Sequence, residues 1–254
     1  MPDNFKLIPP INGLIGHRGV AALAPENTLA SFQIAAKEFI QWIEFDVRLT
    51  KDNELVIFHD DTLERTTNGK GWVHETLLKH LLKLDAGKWF HPHYKNERIP
   101  HFSEIVQNLI DLDFTMNIEL KIPPNATTQH EKALVEKLIE TIKSIWPNNK
   151  RLPLVSSFHW GLIEYARALL PELPIGFLSD NITQDMLETV AKVPNASFNC
   201  HYQNITPEWM ALAKSLNVPV LVFTVNDPLI AKRLLDDGVF AIFTDNPSRL
   251  ALGL

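Results

Sequence analysis

Two histidines in this sequence stand at the ends of short apolar runs, where a strand would deliver them to the edge of a sheet. His17 ends the run that starts at Leu14, and His59 ends the run that starts at Leu55. Histidine titrates near neutral pH, so one such side chain can accept a proton while another donates one. A single histidine in this position is usually structural, but a pair beside acidic residues indicates general acid–base chemistry.

Three carboxylates fall on the polar sides of two strand patterns. Side chains alternate between faces along Trp42–Leu49, which places Glu44 and Asp46 together, and Glu119 lies on the polar side of Phe114–Lys121. Either strand alone would be explained by a polar side in water, but a parallel sheet normally has apolar side chains on both faces. Converging carboxylates repel each other, and a divalent cation removes that cost. The pattern predicts one such cation, Mg²⁺ or Ca²⁺, because these ions prefer oxygen ligands.

Two cationic side chains lie next to these groups in the sequence. Arg18 follows His17 directly, and Lys121 comes two residues after Glu119. An arginine fork matches the paired oxygens of a phosphate, and a lysine adds a point charge. Acids for a metal, two histidines and two cations together indicate phosphoryl chemistry.

The elements that must position these residues alternate between short apolar runs and helix-length segments. This alternation predicts a parallel sheet with right-handed crossovers. We expect an α/β fold, a (β/α)8 TIM barrel, whose functional groups collect at the carboxyl ends of its strands. An open doubly wound sheet is the alternative, but no glycine-rich phosphate loop follows the first strand. The predicted strands are Leu14–Arg18, Trp42–Leu49, Leu55–His59, Phe114–Lys121, Leu152–Phe158, Pro174–Leu178, Ala196–Cys200, Pro219–Val225 and Val239–Thr244.

The domain organisation follows from the same alternation. We expect a single domain over residues 1–254, with a small inserted subdomain at about residues 60–112, after the second strand region. The first helix is predicted near residues 28–38, with the Asn27 side chain capping its free N–H groups.

Composition narrows the possible functions. Apolar residues make up 45% of the chain and charged residues 21%, as in ordinary globular proteins, and the net charge of −6 argues against nucleic-acid binding. No apolar run approaches the roughly 18 residues that span a bilayer, so we expect no stable membrane insertion. The single cysteine, Cys200, excludes an intrachain disulfide and a cysteine zinc cluster. Residues 1–10 do not resemble a secretory signal, which predicts a cytoplasmic protein.

The motifs, taken in order, resemble those of bacterial, cytoplasmic members of the glycerophosphodiester phosphodiesterase family over essentially the whole chain. The family pattern is a His-Arg pair, then Glu-x-Asp, then His-Asp. Each of these short motifs is common by itself, and it is their occurrence in this order that identifies the family. The matching segments here are Gly16–Gly19, Ala24–Thr28, Glu44–Asp46, His59–Asp60, Arg65–Gly69, Asn117–Lys121, Ser156–Phe158, Thr224–Asn226 and Thr244–Pro247.

The resemblance implies an enzyme, a metal-dependent phosphoric diester hydrolase on a TIM barrel. Its small-molecule substrates would be glycerophosphodiesters such as glycerophosphocholine and glycerophosphoethanolamine, cleaved to sn-glycerol 3-phosphate and an alcohol. The residue roles it implies are acid–base catalysis by His17 and His59, phosphate contacts by Arg18 and Lys121, and one divalent cation held by Glu44, Asp46 and Glu119. We expect the glycerol 2-hydroxyl to attack phosphorus and to form a cyclic glycerol phosphate.

Two alternative functions stay open at this point. A lysophospholipase D-like enzyme would use the same site on lysophospholipids, and a non-catalytic module would bind a phosphodiester without cleaving it. Also open are the head group, the choice between Mg²⁺ and Ca²⁺, the histidine that acts first as base, the oligomeric state, and the roles of the insertion and of Trp89, Phe90 and Trp160.

Overall fold

The computed structural model describes residue 7 and residues 9–252. Most of residues 1–10, for which no secretory signal is predicted, therefore lies outside the described residues. The strands are β1 (Leu14–Gly16), β2 (Trp42–Leu49), β3 (Leu55–Ile57), β4 (Thr115–Leu120), β5 (Leu154–Ser157), β6 (Ile175–Ser179), β7 (Ala196–His201), β8 (Val220–Phe223) and β9 (Ala241–Thr244). The helices are α1 (Leu29–Lys37), α2 (Leu78–Leu81), α3 (Phe102–Asp111), α4 (Thr128–Ile145), α5 (Trp160–Leu169), α6 (Gln184–Ala191), α7 (Pro207–Ser215), α8 (Pro228–Asp236) and α9 (Pro247–Ala251).

The strands close into a ring of parallel neighbours. The hydrogen-bonded order is β1-β9-β8-β7-β6-β5-β4-β2, and β1 also pairs with β2, which makes an 8-stranded barrel. Strand β3 pairs antiparallel with the second half of β2 and lies outside the ring. The predicted (β/α)8 TIM barrel is confirmed, because the alternating strands and helices are joined by crossovers that keep the strands parallel.

The two faces of β2 show how the barrel separates its packing from its polar groups. Ile43, Phe45 and Val47 face outward and belong to the main apolar cluster that packs under the helices. Trp42 lies on the other face, in a small apolar cluster inside the ring. The other buried members of that interior cluster are Ile15, Leu154, Leu221, Ala241 and Phe243. This cluster fills part of the barrel interior beneath the polar residues that follow it along the strands.

The segment between β3 and α3, residues 58–101, is mostly irregular, and we call it the inserted segment. Together with Val56 it supplies a separate apolar cluster of Val56, Phe58, Leu63, Val73, Leu81, Ala86 and Ile99. Helix α3 packs instead into the main cluster around the barrel. The inserted segment covers the loop after β1, where the Tyr94 hydroxyl donates a hydrogen bond to the Leu23 carbonyl at 3.1 Å.

The start of α1 differs from the sequence expectation. Thr28 is the N-cap of this helix, and its hydroxyl accepts a hydrogen bond from the Ser31 amide. The prediction that Asn27 caps the helix was wrong, because Asn27 adopts a left-handed backbone with φ of 56° and points its side chain into the barrel mouth. None of the helices in the described part of the chain has both the length and the apolar character to cross a membrane.

Candidate active site

The turn after β1 carries the Gly16-His17-Arg18-Gly19 sequence, and its backbone requires both glycines. A Cβ atom on Gly16 would overlap the Gly19 carbonyl oxygen, and one on Gly19, whose φ is +87°, would overlap the Ser31 hydroxyl. Arg18 itself has a φ of 52°, which is uncommon for a residue with a side chain. This tight turn places the His17 and Arg18 side chains at the carboxyl end of the barrel.

Three buried carboxylates converge beside this turn. Glu44 and Asp46 lie on β2, and Asp46 is the direct partner of Glu119 on the neighbouring β4. The three side chains, which we call the carboxylate triad, are buried and offer ligand oxygens within 4.8 Å of one another. Alternation predicted the face of each side chain, and the register between β2 and β4 brings all three metal candidates together.

The environment of the triad makes its three charges costly. Burial, followed by the charge of Asp46, raises the pKa of Glu44 to about 8, and burial also raises the pKa of Glu119. Burial works against ionisation of Asp46 as well, but the Lys121 and Arg18 charges hold its pKa well below the usual range. The Asn27 amide group fixes the Asp46 side chain, donating to Oδ2 at 2.8 Å.

His17 is held by a chain of hydrogen bonds from the ends of β8 and β9. Its Nδ1 lies 2.6 Å from Asp245 Oδ1, and Nδ1 carries the proton because a carboxylate can only accept. Asp245 Oδ2 accepts from Asn226 Nδ2 at 2.7 Å, while Asn226 Oδ1 accepts from the Asp245 amide and the Thr244 hydroxyl. Burial by itself would lower the pKa of His17, but the Asp245 hydrogen bond and the Glu44 charge raise it above its usual value.

His59 has a similar carboxylate partner. Its Nδ1 lies 2.7 Å from Asp60 Oδ1, and its backbone carbonyl accepts from Arg48 Nε at 2.8 Å. Burial lowers the pKa of His59, and the nearby charges of Arg18 and Lys121 act in the same direction. In both histidines Nδ1 is engaged, which leaves Nε2 as the nitrogen for proton transfer.

The two cations predicted to contact phosphate lie on opposite sides of Asp46. Arg18 Nε is 3.5 Å from Asp46 Oδ2, and Lys121 Nζ is 3.4 Å from Asp46 Oδ1. Lys121 also pairs with Glu119 and lies 5.6 Å from the centroid of the Phe158 ring. Each cation therefore already balances part of the negative charge of the triad.

These groups line one cavity of about 190 Å³ at the carboxyl end of the barrel. Its polar lining is His17, Arg18, Glu44, His59, Asn117, Glu119, Lys121 and Thr224, and its apolar lining is Phe158, Leu178, Phe223 and Phe243. Asp46 lies behind this surface, in contact with Arg18 and Lys121. Trp89, Phe90 and Trp160, whose roles the sequence left open, do not line this cavity.

A larger groove of about 720 Å³ lies near the starts of β2 and β4, between Phe39 and Trp146. Its lining contains none of the histidines or carboxylates described above, so it offers no comparable acid–base or metal chemistry.

The supporting side chains were missed by the sequence analysis. Asp245, Asn226, Asp60 and Asn27 hold the histidines and the triad in place. All of them lie within the motif segments that carried the family resemblance, which was the available signal. Asp60 contacts the adjacent His59, but Asn27 and Asp245 contact residues 19 and 228 positions away, and alternation within a strand cannot assign such partners.

Comparison with known proteins agrees with this geometry. The model of the glycerophosphoryl diester phosphodiesterase family matches residues 17–249. A glycerophosphodiester phosphodiesterase of Caldanaerobacter subterraneus subsp. tengcongensis is 35% identical over 237 residues, covering 93% of this chain and 95% of that protein. A glycerophosphodiester phosphodiesterase of Bacillus subtilis is 30% identical over 247 residues, covering 92% and 83%. A solved phosphodiesterase of Oleispira antarctica, in complex with the product sn-glycerol-3-phosphate, is 34% identical with a TM-score of 0.88, covering 94% of this chain and 95% of that one.

Proposed function

Because this chain belongs to the glycerophosphoryl diester phosphodiesterase family, we propose that it hydrolyses glycerophosphodiesters in the barrel cavity, with His17 and His59 as its proton carriers. The observation that carries the proposal is the convergence of two carboxylate-bound histidines and a buried carboxylate triad on one cavity. The products are sn-glycerol 3-phosphate and an alcohol, as the product bound to the Oleispira antarctica relative supports.

The cavity size favours a compact substrate. Its volume of about 190 Å³ is below the roughly 300–1,000 Å³ of pockets that enclose drug-sized ligands. A glycerol phosphate unit therefore suits it better than a lysophospholipid with its acyl chain. Phe158 and Phe223, whose ring centroids are 5.8 Å apart, form an apolar wall for the carbon side of the glycerol.

The carboxylate triad fits a divalent cation. Its oxygens are close together and buried, and Glu44 Oε1 has no hydrogen-bond partner within the described residues. Because every donor is an oxygen, we assign the cation as Mg²⁺ or Ca²⁺, held by Glu44, Asp46 and Glu119. When bound, it supplies a Lewis acid that polarises a phosphate oxygen and offsets developing negative charge.

The chain's own groups would divide the proton transfers and the binding of phosphate. One histidine takes the proton of the attacking hydroxyl on its Nε2, and the other donates a proton from Nε2 to the leaving alcohol. Arg18 and Lys121, whose head groups flank Asp46, bind the phosphate oxygens. The Asp245 and Asp60 carboxylates keep the two Nδ1 protons in place, so that only Nε2 exchanges protons during the reaction.

The attacking hydroxyl is assigned to C2 of the glycerol. Attack by this oxygen forms a P–O bond in a cyclic glycerol phosphate and breaks the bond to the leaving alcohol. Water then opens the ring while the histidines exchange roles. Holding the hydroxyl next to phosphorus makes the first step intramolecular, which can be worth about 7–11 kcal/mol.

The reaction is tested by measuring sn-glycerol 3-phosphate released from glycerophosphocholine. Release should stop with EDTA and return with Mg²⁺ or Ca²⁺. His17→Ala and His59→Ala should each lower kcat by about 10²–10⁴, while His93→Ala, an exposed histidine of the inserted segment, should leave it unchanged. Full turnover by folded His17→Ala and His59→Ala would overturn the assignment of the two histidines. If the protein cleaved lysophosphatidylcholine and not glycerophosphocholine, the proposed substrate would be wrong.

A substrate methylated on the 2-hydroxyl separates the two routes of attack. This compound should not be cleaved if the 2-hydroxyl is the nucleophile. Normal cleavage would show that water attacks phosphorus directly.

A further inference from the structure

One arginine of the inserted segment bridges two carboxylates at the edge of the cavity. Arg65 Nε and Nη2 donate to Asp60 at 2.6 and 2.8 Å. Its Nη1 and Nη2 donate to Glu26 at 2.8 and 2.7 Å. The planar guanidinium therefore makes a two-point contact with each carboxylate, a geometry that lysine cannot reproduce.

Each of these carboxylates also holds a residue of the proposed site. Asp60 Oδ1 accepts from His59 Nδ1 at 2.7 Å, and Glu26 Oε1 accepts from Arg18 Nη1 at 2.6 Å. The contacts thus form one continuous chain from His59 through Asp60, Arg65 and Glu26 to Arg18. We infer that Arg65 is a positioning residue that fixes the separation between the His59 proton carrier and the Arg18 phosphate contact.

The fold gives this bridge a role that the barrel hydrogen bonds do not fill. His59 follows β3, and β3 pairs with β2 alone among the described strands. Arg18 lies in the turn after β1, and β1 and β3 border the same edge of β2 at its two ends without pairing with each other. The Arg65 bridge therefore couples two loops whose strands share no hydrogen bonds with each other.

The charges at the bridge support the same conclusion. The Arg65 side chain is 46% exposed, whereas those of Glu26 and Asp60 are 10% and 21% exposed. The guanidinium therefore reaches in from solvent and holds together two carboxylates that are much less exposed than it is. Burial would raise the pKa of Asp60, but the Arg65 and His59 hydrogen bonds lower it to about 2. Without Arg65, two carboxylates that now share one Nη2 group would repel each other and move apart.

This inference rests on the proposed function, since it needs His59 and Arg18 in their assigned roles. Arg65→Ala should lower kcat through His59 and raise KM through Arg18, for a loss of about 10–100-fold in kcat/KM. Arg65→Lys should recover only part of the loss, because one ammonium group cannot make two-point contacts with both carboxylates. A residue with a merely structural role would change the thermal midpoint and leave the kinetics of the folded enzyme unchanged.

The closing experiment measures kcat and KM of Arg65→Ala with and without ethylguanidinium, which replaces the atoms removed beyond Cβ. The matched control is Arg98→Ala, since Arg98 is an exposed arginine of the same segment whose Nη1 donates to the Lys83 carbonyl and which does not line the cavity. We expect ethylguanidinium, and not ethylammonium, to restore kcat/KM at least about fivefold in Arg65→Ala, with Arg98→Ala active throughout.

The outcomes separate the inference from the function on which it rests. The positioning role is overturned if Arg65→Ala has wild-type kinetics, or if ethylguanidinium does not reverse its loss of activity. In that case the site assignment still stands as long as His59→Ala and Arg18→Ala are inactive. If His59→Ala and Arg18→Ala also keep full turnover, the proposed site itself is wrong. Should Arg65→Ala not fold, Arg65→Lys decides: wild-type kcat and KM in that variant overturn the inference.

Discussion

Replacing Asp245 by asparagine should leave His17 with its proton on the wrong nitrogen. The Asn226 side chain cannot rotate to help, because its Oδ1 already accepts from the Asp245 amide at 2.9 Å and from the Thr244 hydroxyl at 3.0 Å. Its Nδ2 group therefore keeps pointing at position 245. The single oxygen of the new amide must accept that hydrogen bond, and its NH₂ group then faces His17. His17 Nδ1 becomes an acceptor, and the proton moves to Nε2.

The size of the effect follows from what His17 loses. With Nε2 already protonated, the neutral ring cannot take a proton in the step that requires a base. General acid–base catalysis contributes about 10²–10⁴ in rate, so Asp245→Asn should raise the activation free energy by about 3–5 kcal/mol. The stability cost should be smaller, about 1–2 kcal/mol, because the new amide still makes hydrogen bonds on both sides.

The assay compares kcat for sn-glycerol 3-phosphate release with the thermal midpoint of the same samples. A second substitution provides the control: adding Asn226→Asp to Asp245→Asn should restore much of the activity. The introduced carboxylate would accept from the amide at position 245, turning its oxygen back toward His17 Nδ1. If Asp245→Asn keeps wild-type kcat, or if the double variant is no better than the single one, the hydrogen-bond argument fails.

Three further predictions use other parts of the molecule. Gly16→Ala should lower the thermal midpoint strongly, because its Cβ would overlap the Gly19 carbonyl. The control Gly161→Ala lies on α5 with open space around it and should stabilise the protein by up to about 1 kcal/mol. Equal thermal midpoints for the two variants would contradict the turn geometry. Burial raises the pKa of the Cys200 thiol to about 12, so a thiol reagent should label the native enzyme only as fast as it unfolds, and rapid labelling would show that the thiol is reachable. The pKa of Asp60 falls from 3.8 to about 2 on folding, so its charge stabilises the fold above about pH 4, and this stabilisation is lost as the pH falls through about 2. The difference in unfolding free energy between wild type and Asp60→Asn should therefore shrink between about pH 4 and pH 2. A difference that stays constant over this range would refute the prediction.

Strand patterns predicted the barrel well where alternation alone determines the structure. The predicted strand Trp42–Leu49 coincides with β2, because its apolar side packs under helices and its polar side faces the interior. The first strand was predicted through Arg18 but ends at Gly16. The positive φ of Arg18 belongs to a turn that the Gly16 and Gly19 contacts enforce, and no residue pattern within the strand reveals it.

For the candidate site, too, strand patterns predicted some residues and not others. The structure brings His17, His59 and the carboxylate triad together, as position along each strand predicted, because the strand ends of a barrel meet at one face. The partners Asp245 and Asn27 depend instead on tertiary contacts with residues that lie elsewhere in the chain. Asn27 was assigned to a helix cap because a polar residue before a helix usually serves there, but the tertiary contact with Asp46 takes its side chain instead.

The hydrogen bond between His17 and Asp245 also constrains how the enzyme folds during translation. The two residues are 228 positions apart, and β1 depends on β9 for most of its pairing, with a single register pair to β2. During translation, β1 therefore cannot pair with β9 until almost the whole barrel has been synthesised. A chain that stops before β9 would contain all three proposed metal ligands and both histidines but would lack the Asp245 contact. It would also expose the β9 edge of β1, which would then be open to aggregation.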